Sequence, residues 1–363
     1  MDASSPPVVP PPSRLPRAGR RLLAGLGLAG LTAALVAAVP AVAGTSWPAV
    51  TRLAAGTDLT WLPWLAAVWV AGLGAYAVVQ TAALPGLSAG RAVALTLGGS
   101  AVGNLVPLGG AASMGVCAAM ARRWGFGPSR FGAYLTVTTL WSSASRVVLG
   151  AAALAWWALA RPGGPPLADP VAVLLPAVAV LAALGAVVAS EPACRAVAGT
   201  AGRVVDRGAG LLGRASGGRR GRWPDVVAAT RAEALAANRT AWPRVVAGLL
   251  LHNALLVLLL DGCLRAVGHP APLVAVCAAV GLERLLTAVP VTPGGSGVAE
   301  LGLVAVLAAG TAPAAAPAAA AGALLYRVFT YLLEVPVGAP LALTQLARPG
   351  RPALAARAAG GAA

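Results

Sequence analysis

Residues 22–42, 171–190 and 245–260 form apolar windows without a single Arg, Asp or Glu. Each matches or approaches the ~20 residues that a helix needs to cross a ~30 Å hydrocarbon core. Hydrocarbon offers no partner to backbone N–H and C=O groups, so a chain entering it pairs them internally as helix. The windows predict an all-α, polytopic helical membrane protein. Composition agrees: 58% of residues are hydrophobic and 10% charged, against roughly 25% charged in a soluble domain.

The formal net charge is +16, and every basic residue is Arg. A nucleic-acid binder would need a soluble basic module, and none is visible. Cytoplasmic loops of membrane proteins collect basic residues, which explains the excess better. Cys117, Cys194, Cys263 and Cys277 form no CxxC and no cluster with His. They read as small apolar packing residues, and neither a metal nor a cofactor is expected.

Residues 1–20 read as a Pro-rich, disordered cytoplasmic tail, and 346–363 as a second one. Between them, 21–345 reads as one transmembrane domain, with an Arg-rich cytoplasmic loop at 191–241. Residues 223–237 within that loop have the pattern of a helix on the inner leaflet surface. About six full spans are expected: 22–42, read as a retained helix rather than a cleaved signal, then 61–84, 131–159, one ending near Ser190, 245–267 and 315–343. Two further segments, 90–125 and 272–310, are interrupted by Pro and Gly. If both dip in and return, Arg91, Arg122, Arg123, Arg130 and the Arg-rich loop all face the cytoplasm with both termini. The first interrupted segment then enters from inside and the second from outside. That is the pattern of an inverted repeat.

The interruptions are GNLVPLGG, with Asn104, Pro107, Gly109 and Gly110, and PVTPGGSG, with Pro293, Gly294, Gly295 and Gly297. Proline lacks a donor and clashes one turn back, and Gly favours unwinding. Freed backbone groups must then face protein or a wet cavity, where the start of the next helix offers N–H groups to a phosphate or carboxylate. The competing reading is a kink that permits tight packing. Ionisable residues gather near the breaks: Glu283, Arg284, Glu300, Arg327 and Glu334, with Arg146 and Asp261 inside other spans. A charge at mid-bilayer costs at least ~2.5 kcal/mol on insertion scales, so such groups pair or line a pathway. Arg327 is expected to pair with Glu283 or Glu300. Asp261 and Arg265, one turn apart, are expected to pair locally.

Two blocks carry a resemblance. One is GNLVPLGG with the following MARRWGFG, Met120 to Gly127. The other runs from Glu283-Arg284 through PVTPGGSGVAELG to Leu325-Tyr326-Arg327. In these the chain resembles the lysylphosphatidylglycerol synthase transmembrane-region family, also called flippase-like domain proteins. Members are polytopic inner-membrane proteins, and in the best-known fusions such a domain moves an aminoacylated phospholipid between leaflets. The resemblance implies a stand-alone flippase-like unit in the cell membrane, without the synthase domain. Many relatives carry an acid just after the first Gly-Gly, where this chain has Ala111-Ala112-Ser113.

The leading expectation is translocation of a lipid or lipid-linked headgroup. The substrate would be anionic and held by Asn104, Pro107, Gly109, Gly110, Glu283, Arg284, Pro293, Gly294, Gly295, Gly297, Glu300 and Arg327. The expected partners are membrane lipids, with a homo-oligomer left open. An accessory subunit of envelope lipid metabolism is the alternative. Ser296 in the Gly-rich break, with His252 on another span, leaves an intramembrane serine enzyme as a third reading.

Overall fold

The structure is a computed structural model that describes residues 46–105, 109–160, 223–287, 298–310 and 316–347, with single positions between 175 and 192. The first expected span, nearly all of the fourth, both tails, most of the Arg-rich loop, Pro107, and Pro293, Gly294, Gly295 and Gly297 lie outside the described residues.

Every described element is helical. In chain order they are α1 (Trp47–Ala55), a 3-10 turn (Leu59–Trp61), α2 (Leu62–Ala83), α3 (Ala89–Leu105), α4 (Gly109–Arg123), α5 (Pro128–Ala160), α6 (Trp223–Ala266), α7 (Leu273–Leu286), α8 (Val298–Gly310), α9 (Ala316–Arg327), a π turn (Val328–Leu332) and α10 (Glu334–Ala347). Four helical stretches are long and apolar enough to cross a membrane: Leu59–Ala83, Pro128–Ala160, Ala229–Ala266 and Ala316–Ala347. They coincide with the second, third, fifth and last expected spans. Large apolar side chains such as Val70, Val148, Leu251 and Leu332 are exposed on their outer faces. Lipid is the solvent that makes such a surface stable.

The interrupted segments are antiparallel helical hairpins. α3 and α4 have 17 and 15 residues, and α7 and α8 have 14 and 13. All four arms are shorter than the ~20 residues of a full crossing. In the first hairpin Gly99 faces Ser113 and Cys117, and the Cys117 thiol donates to Leu95 O at 3.5 Å. A Cβ on Gly109 would collide with the Gly103 carbonyl. In the second hairpin Gly302 lies under Leu282 and Leu286.

Helices α2 and α6 pack together at the centre, where Gly248 sits against Val79 and the Ala75 carbonyl. Around them, α3 packs on α10 and α7 on α5. Both of these crossings use glycine for close backbone approach, the usual device of membrane helix packing. Gly338 lies on the Leu97 carbonyl, and Gly150 meets Gly281.

Short connections join the arms to the spans. The MARRWGFG element forms one of them, with Gly125 at φ 90°, in the left-handed region open to Gly. The Trp124 indole donates to Gln345 Oε1 at 3.2 Å, Arg91 stacks over Trp124, and Arg130 donates to Pro85 O at 3.0 Å. At the opposite end Asp58 N–H donates to Ala266 O at 2.9 Å. The Thr60 hydroxyl and N–H both donate to the Asp58 carboxylate and hold it below its ordinary pKa.

One expectation needs correction. Residues 223–237 are not a separate surface helix but the start of α6, which runs unbroken for 44 residues through Pro243. Packing on α5 holds this extension: Ala234 and Ala241 are buried, and the Trp141 indole donates to Asn238 Oδ1 at 2.7 Å. The last span carries a feature that the sequence did not announce. It widens into the π turn, where Leu333 N–H reaches back to Val328 O at 2.8 Å.

Candidate functional site

Each hairpin tip ends on the last helix of the opposite half of the chain. At the first, Asn104 Nδ2 donates to Tyr331 O at 3.4 Å and the Tyr331 hydroxyl donates to Asn104 O at 3.1 Å. At the second, Arg146 donates to Thr287 O at 3.2 Å. Thr287 caps the C-terminus of α7, where free carbonyls and the helix dipole favour a cation. Asn104 and Thr287 both line a cavity of about 350 Å³. Its walls come from α2, α3, α5, α6, α7 and the Arg327–Glu334 stretch around the π turn. π turns recur at functional sites because they re-aim side chains out of helical register.

The charged wall is built around Glu283, which is 1% exposed. Arg284 forks onto it, with Nε to Oε2 at 3.1 Å and NH2 to Oε1 at 3.1 Å. The Tyr326 hydroxyl donates to it at 3.4 Å, and Arg327 stands 3.6 Å away. Arg327 also donates to Glu300 Oε1 at 2.7 Å and lies over the Tyr331 ring. The pairing expected of Arg327 therefore goes to both carboxylates, with Glu300 the nearer. Glu300 does not line the cavity; it holds Arg327 from behind. The local pair of Asp261 and Arg265 forms as expected, at 2.7 Å.

Arg146 differs from Arg284 and Arg327. It lines the cavity, and among the described residues no carboxylate lies within 4.0 Å of it. One turn back on the same face, the buried Ser142 hydroxyl makes no hydrogen bond to another protein group. Ser142 and Arg146 are thus a hydroxyl and a guanidinium free to meet an anion in one cavity. Sequence reading noted Arg146 as a span charge but did not assign it to the site. Glu334 lines the same cavity near the Ser100 hydroxyl, likewise with no guanidinium within 4.0 Å among the described residues.

Of the residues assigned to the substrate from sequence, Asn104, Glu283, Arg284 and Arg327 line the cavity. Gly109 and Gly110 are not part of its lining. Gly109 serves the close approach of α3 and α4, and Gly110 is exposed with open space beside it. Ser113 packs inside the hairpin against Gly99. His252 lines the cavity with Nδ1 3.0 Å from the Gly72 carbonyl. A carbonyl only accepts, so Nδ1 carries the proton and Nε2 remains an acceptor. Among the described residues no group of three or more His, Cys, Asp or Glu side chains could hold a metal.

No curated protein and no solved structure matches the chain. The profile of one family, described as Lysylphosphatidylglycerol synthase TM region, matches residues 22–338. That match spans both helical hairpins and the charged wall between them, and the chain belongs to the lysylphosphatidylglycerol synthase transmembrane-region family.

Proposed function

We propose that the chain moves the headgroup of an anionic phospholipid or lipid-linked substrate between leaflets through the central cavity, without covalent chemistry. The observation that carries this reading is Arg146. Among the described residues it presents a guanidinium with no carboxylate within 4.0 Å, beside the Ser142 hydroxyl that bonds to no other protein group, in the cavity lined by the first arms of both hairpins. A half-buried cation and a buried hydroxyl are each costly alone inside a membrane bundle, and an anionic phosphate satisfies both.

The hairpins are read as re-entrant, and the two halves as an inverted repeat. Helix, hairpin, helix occurs twice, as α2, α3–α4, α5 and as α6, α7–α8, α9–α10. The exchange of contacts is reciprocal. The first arm of each hairpin crosses the last helix of the other half on a glycine, and each tip bonds to that same helix. Such a pair suits alternating access, with one tip gating each side. Both termini are placed in the cytoplasm. Arg91, Arg122, Arg123 and Arg130 share the end of the bundle at which Gln345 of α10 meets Trp124.

The test is binding. The full chain in nanodiscs should melt higher in phosphatidylglycerol than in phosphatidylcholine. A site-specific ligand at about a hundred times its Kd stabilises by about 2.7 kcal/mol. Arg146→Gln should lose most of that difference while keeping the phosphatidylcholine melting temperature. An equal lipid response in wild type and variant would remove Arg146 from the site.

A further inference from the structure

Two features of the cavity stand together: a guanidinium without a carboxylate partner on α5 and a carboxylate without a guanidinium partner at the start of α10. Charge counting links them. Among the described residues the cavity and its immediate backing hold Arg146, Arg284 and Arg327 against Glu283, Glu300 and Glu334. Residues 106–108 and 288–297, which link the arms of each hairpin in sequence, contain no ionisable residue. Among the described residues the cavity is therefore balanced. An arriving phosphodiester leaves it with one uncompensated negative charge, inside a bundle where such charge is costly.

We propose that loading an anionic headgroup into this cavity takes up one proton from solution, and that the Glu334 carboxylate receives it. The inference rests on the reading of the cavity as an anionic-headgroup site. The step is a simple protonation: an O–H bond forms on Glu334 as the headgroup enters and breaks as it leaves. The other acids are less able to take the proton. Glu283 is held by Arg284, Tyr326 and Arg327, and Glu300 by Arg327. His252 is the competing acceptor through Nε2. Protonating it adds a charge near Arg284 and Arg146, whereas protonating Glu334 removes one.

The groups facing Glu334 are few. From α3 they are Ser100 and Asn104, with Arg91 away at the Trp124 end. From α4, packed on α10, the charged residues Arg122 and Arg123 lie in its last turn. The π turn and α9 bring Tyr331 and Arg327, and across the cavity stand Tyr76, Arg146, His252, Glu283 and Arg284. A headgroup and a proton that each favour the other must do so reciprocally, so affinity should fall as pH rises, by up to about tenfold per pH unit for one fully coupled proton.

The experiment uses the full chain in an uncharged nanodisc, weakly buffered near neutral pH with an indicator dye. Dihexanoyl phosphatidylglycerol is the ligand, because its phosphodiester does not titrate there. The wild type should take up about one proton per bound lipid. Glu334→Gln should bind the lipid with no uptake and with affinity that no longer falls with pH. Uptake that persists in Glu334→Gln and disappears in His252→Gln assigns the proton to the imidazole and overturns the proposal. Lipid binding to wild type without uptake overturns it as well. Absence of lipid binding to wild type overturns the headgroup reading itself, and this inference with it. A parallel arm uses the deacylated phosphodiester, glycerophosphoglycerol. Uptake from the lipid alone supports the proposal for a lipid headgroup, and uptake from both supports it for the phosphodiester in general.

Discussion

Arg284 and Arg146 carry the same group into the same cavity, but their neighbours give them different work. The Arg284 guanidinium is bound to Glu283, whereas Arg146 donates to the Thr287 carbonyl. Loss of a group that holds an anion and loss of a group that holds the wall should therefore look different. Glu300→Gln should cost about 3–5 kcal/mol of stability, because it removes the nearest counter-charge of Arg327. Urea or thermal unfolding in detergent reads this, and the double change Glu300→Gln with Arg327→Gln should recover much of the loss. Arg146→Gln should leave the unfolding midpoint nearly unchanged in neutral lipid. The charged wall was legible in the sequence because ions in apolar context must find partners. Glu283, Arg284 and Arg327 were named for that reason. Which ion would be left over was not legible. Among the described residues Arg146 and Glu334 lack an oppositely charged partner within 4.0 Å because of tertiary register, and no spacing within one helix reveals it.

At the scale of elements, the hairpins depend on how closely their arms approach. A methyl on Gly109 would run into the Gly103 carbonyl, while one on Gly110 would meet nothing. Gly109→Ala is expected to destabilise by about 1–3 kcal/mol through overpacking, and Gly110→Ala to change little. Melting curves of the two variants side by side check this contrast; equal curves would contradict the tight hairpin. Tyr331→Phe removes the hydroxyl that anchors the first tip to the last span. It should cost about 1–3 kcal/mol, since the Asn104 carbonyl loses its donor. Hydrogen exchange should quicken around α3 and α4 but not around α7 and α8. Pro and Gly made the interruptions visible in sequence, because few residues break a helix so plainly. The π turn left no such mark, since Val328–Leu332 reads VFTYL, with neither Pro nor Gly to signal a departure from α-helix. Residues 223–237 misled for the opposite reason: the Arg-rich loop around them suggests a segment apart from the next span, but contacts with α5 run along one continuous helix.

The whole molecule is read as two halves that exchange their hairpins across a shared cavity, held in opposite orientations in the bilayer. Orientation is open to a direct check. With native cysteines replaced, a cysteine at His269, in the connection between α6 and α7, should react with an impermeant maleimide from outside intact cells. One at Gln345 should react only after the membrane is opened. The reverse pattern would invert the assignment of both hairpins. The family match, residues 22–338, takes in every residue that lines the cavity. The claim that this unit moves lipid is tested most directly in liposomes. Fluorescent phosphatidylglycerol is placed in both leaflets, and dithionite is added outside. The account predicts that wild-type protein exposes the inner-leaflet probe to quenching, while Arg146→Gln liposomes lose only the outer-leaflet signal, as empty ones do. Wild-type liposomes indistinguishable from empty ones, or an Arg146→Gln protein as active as wild type, would contradict it.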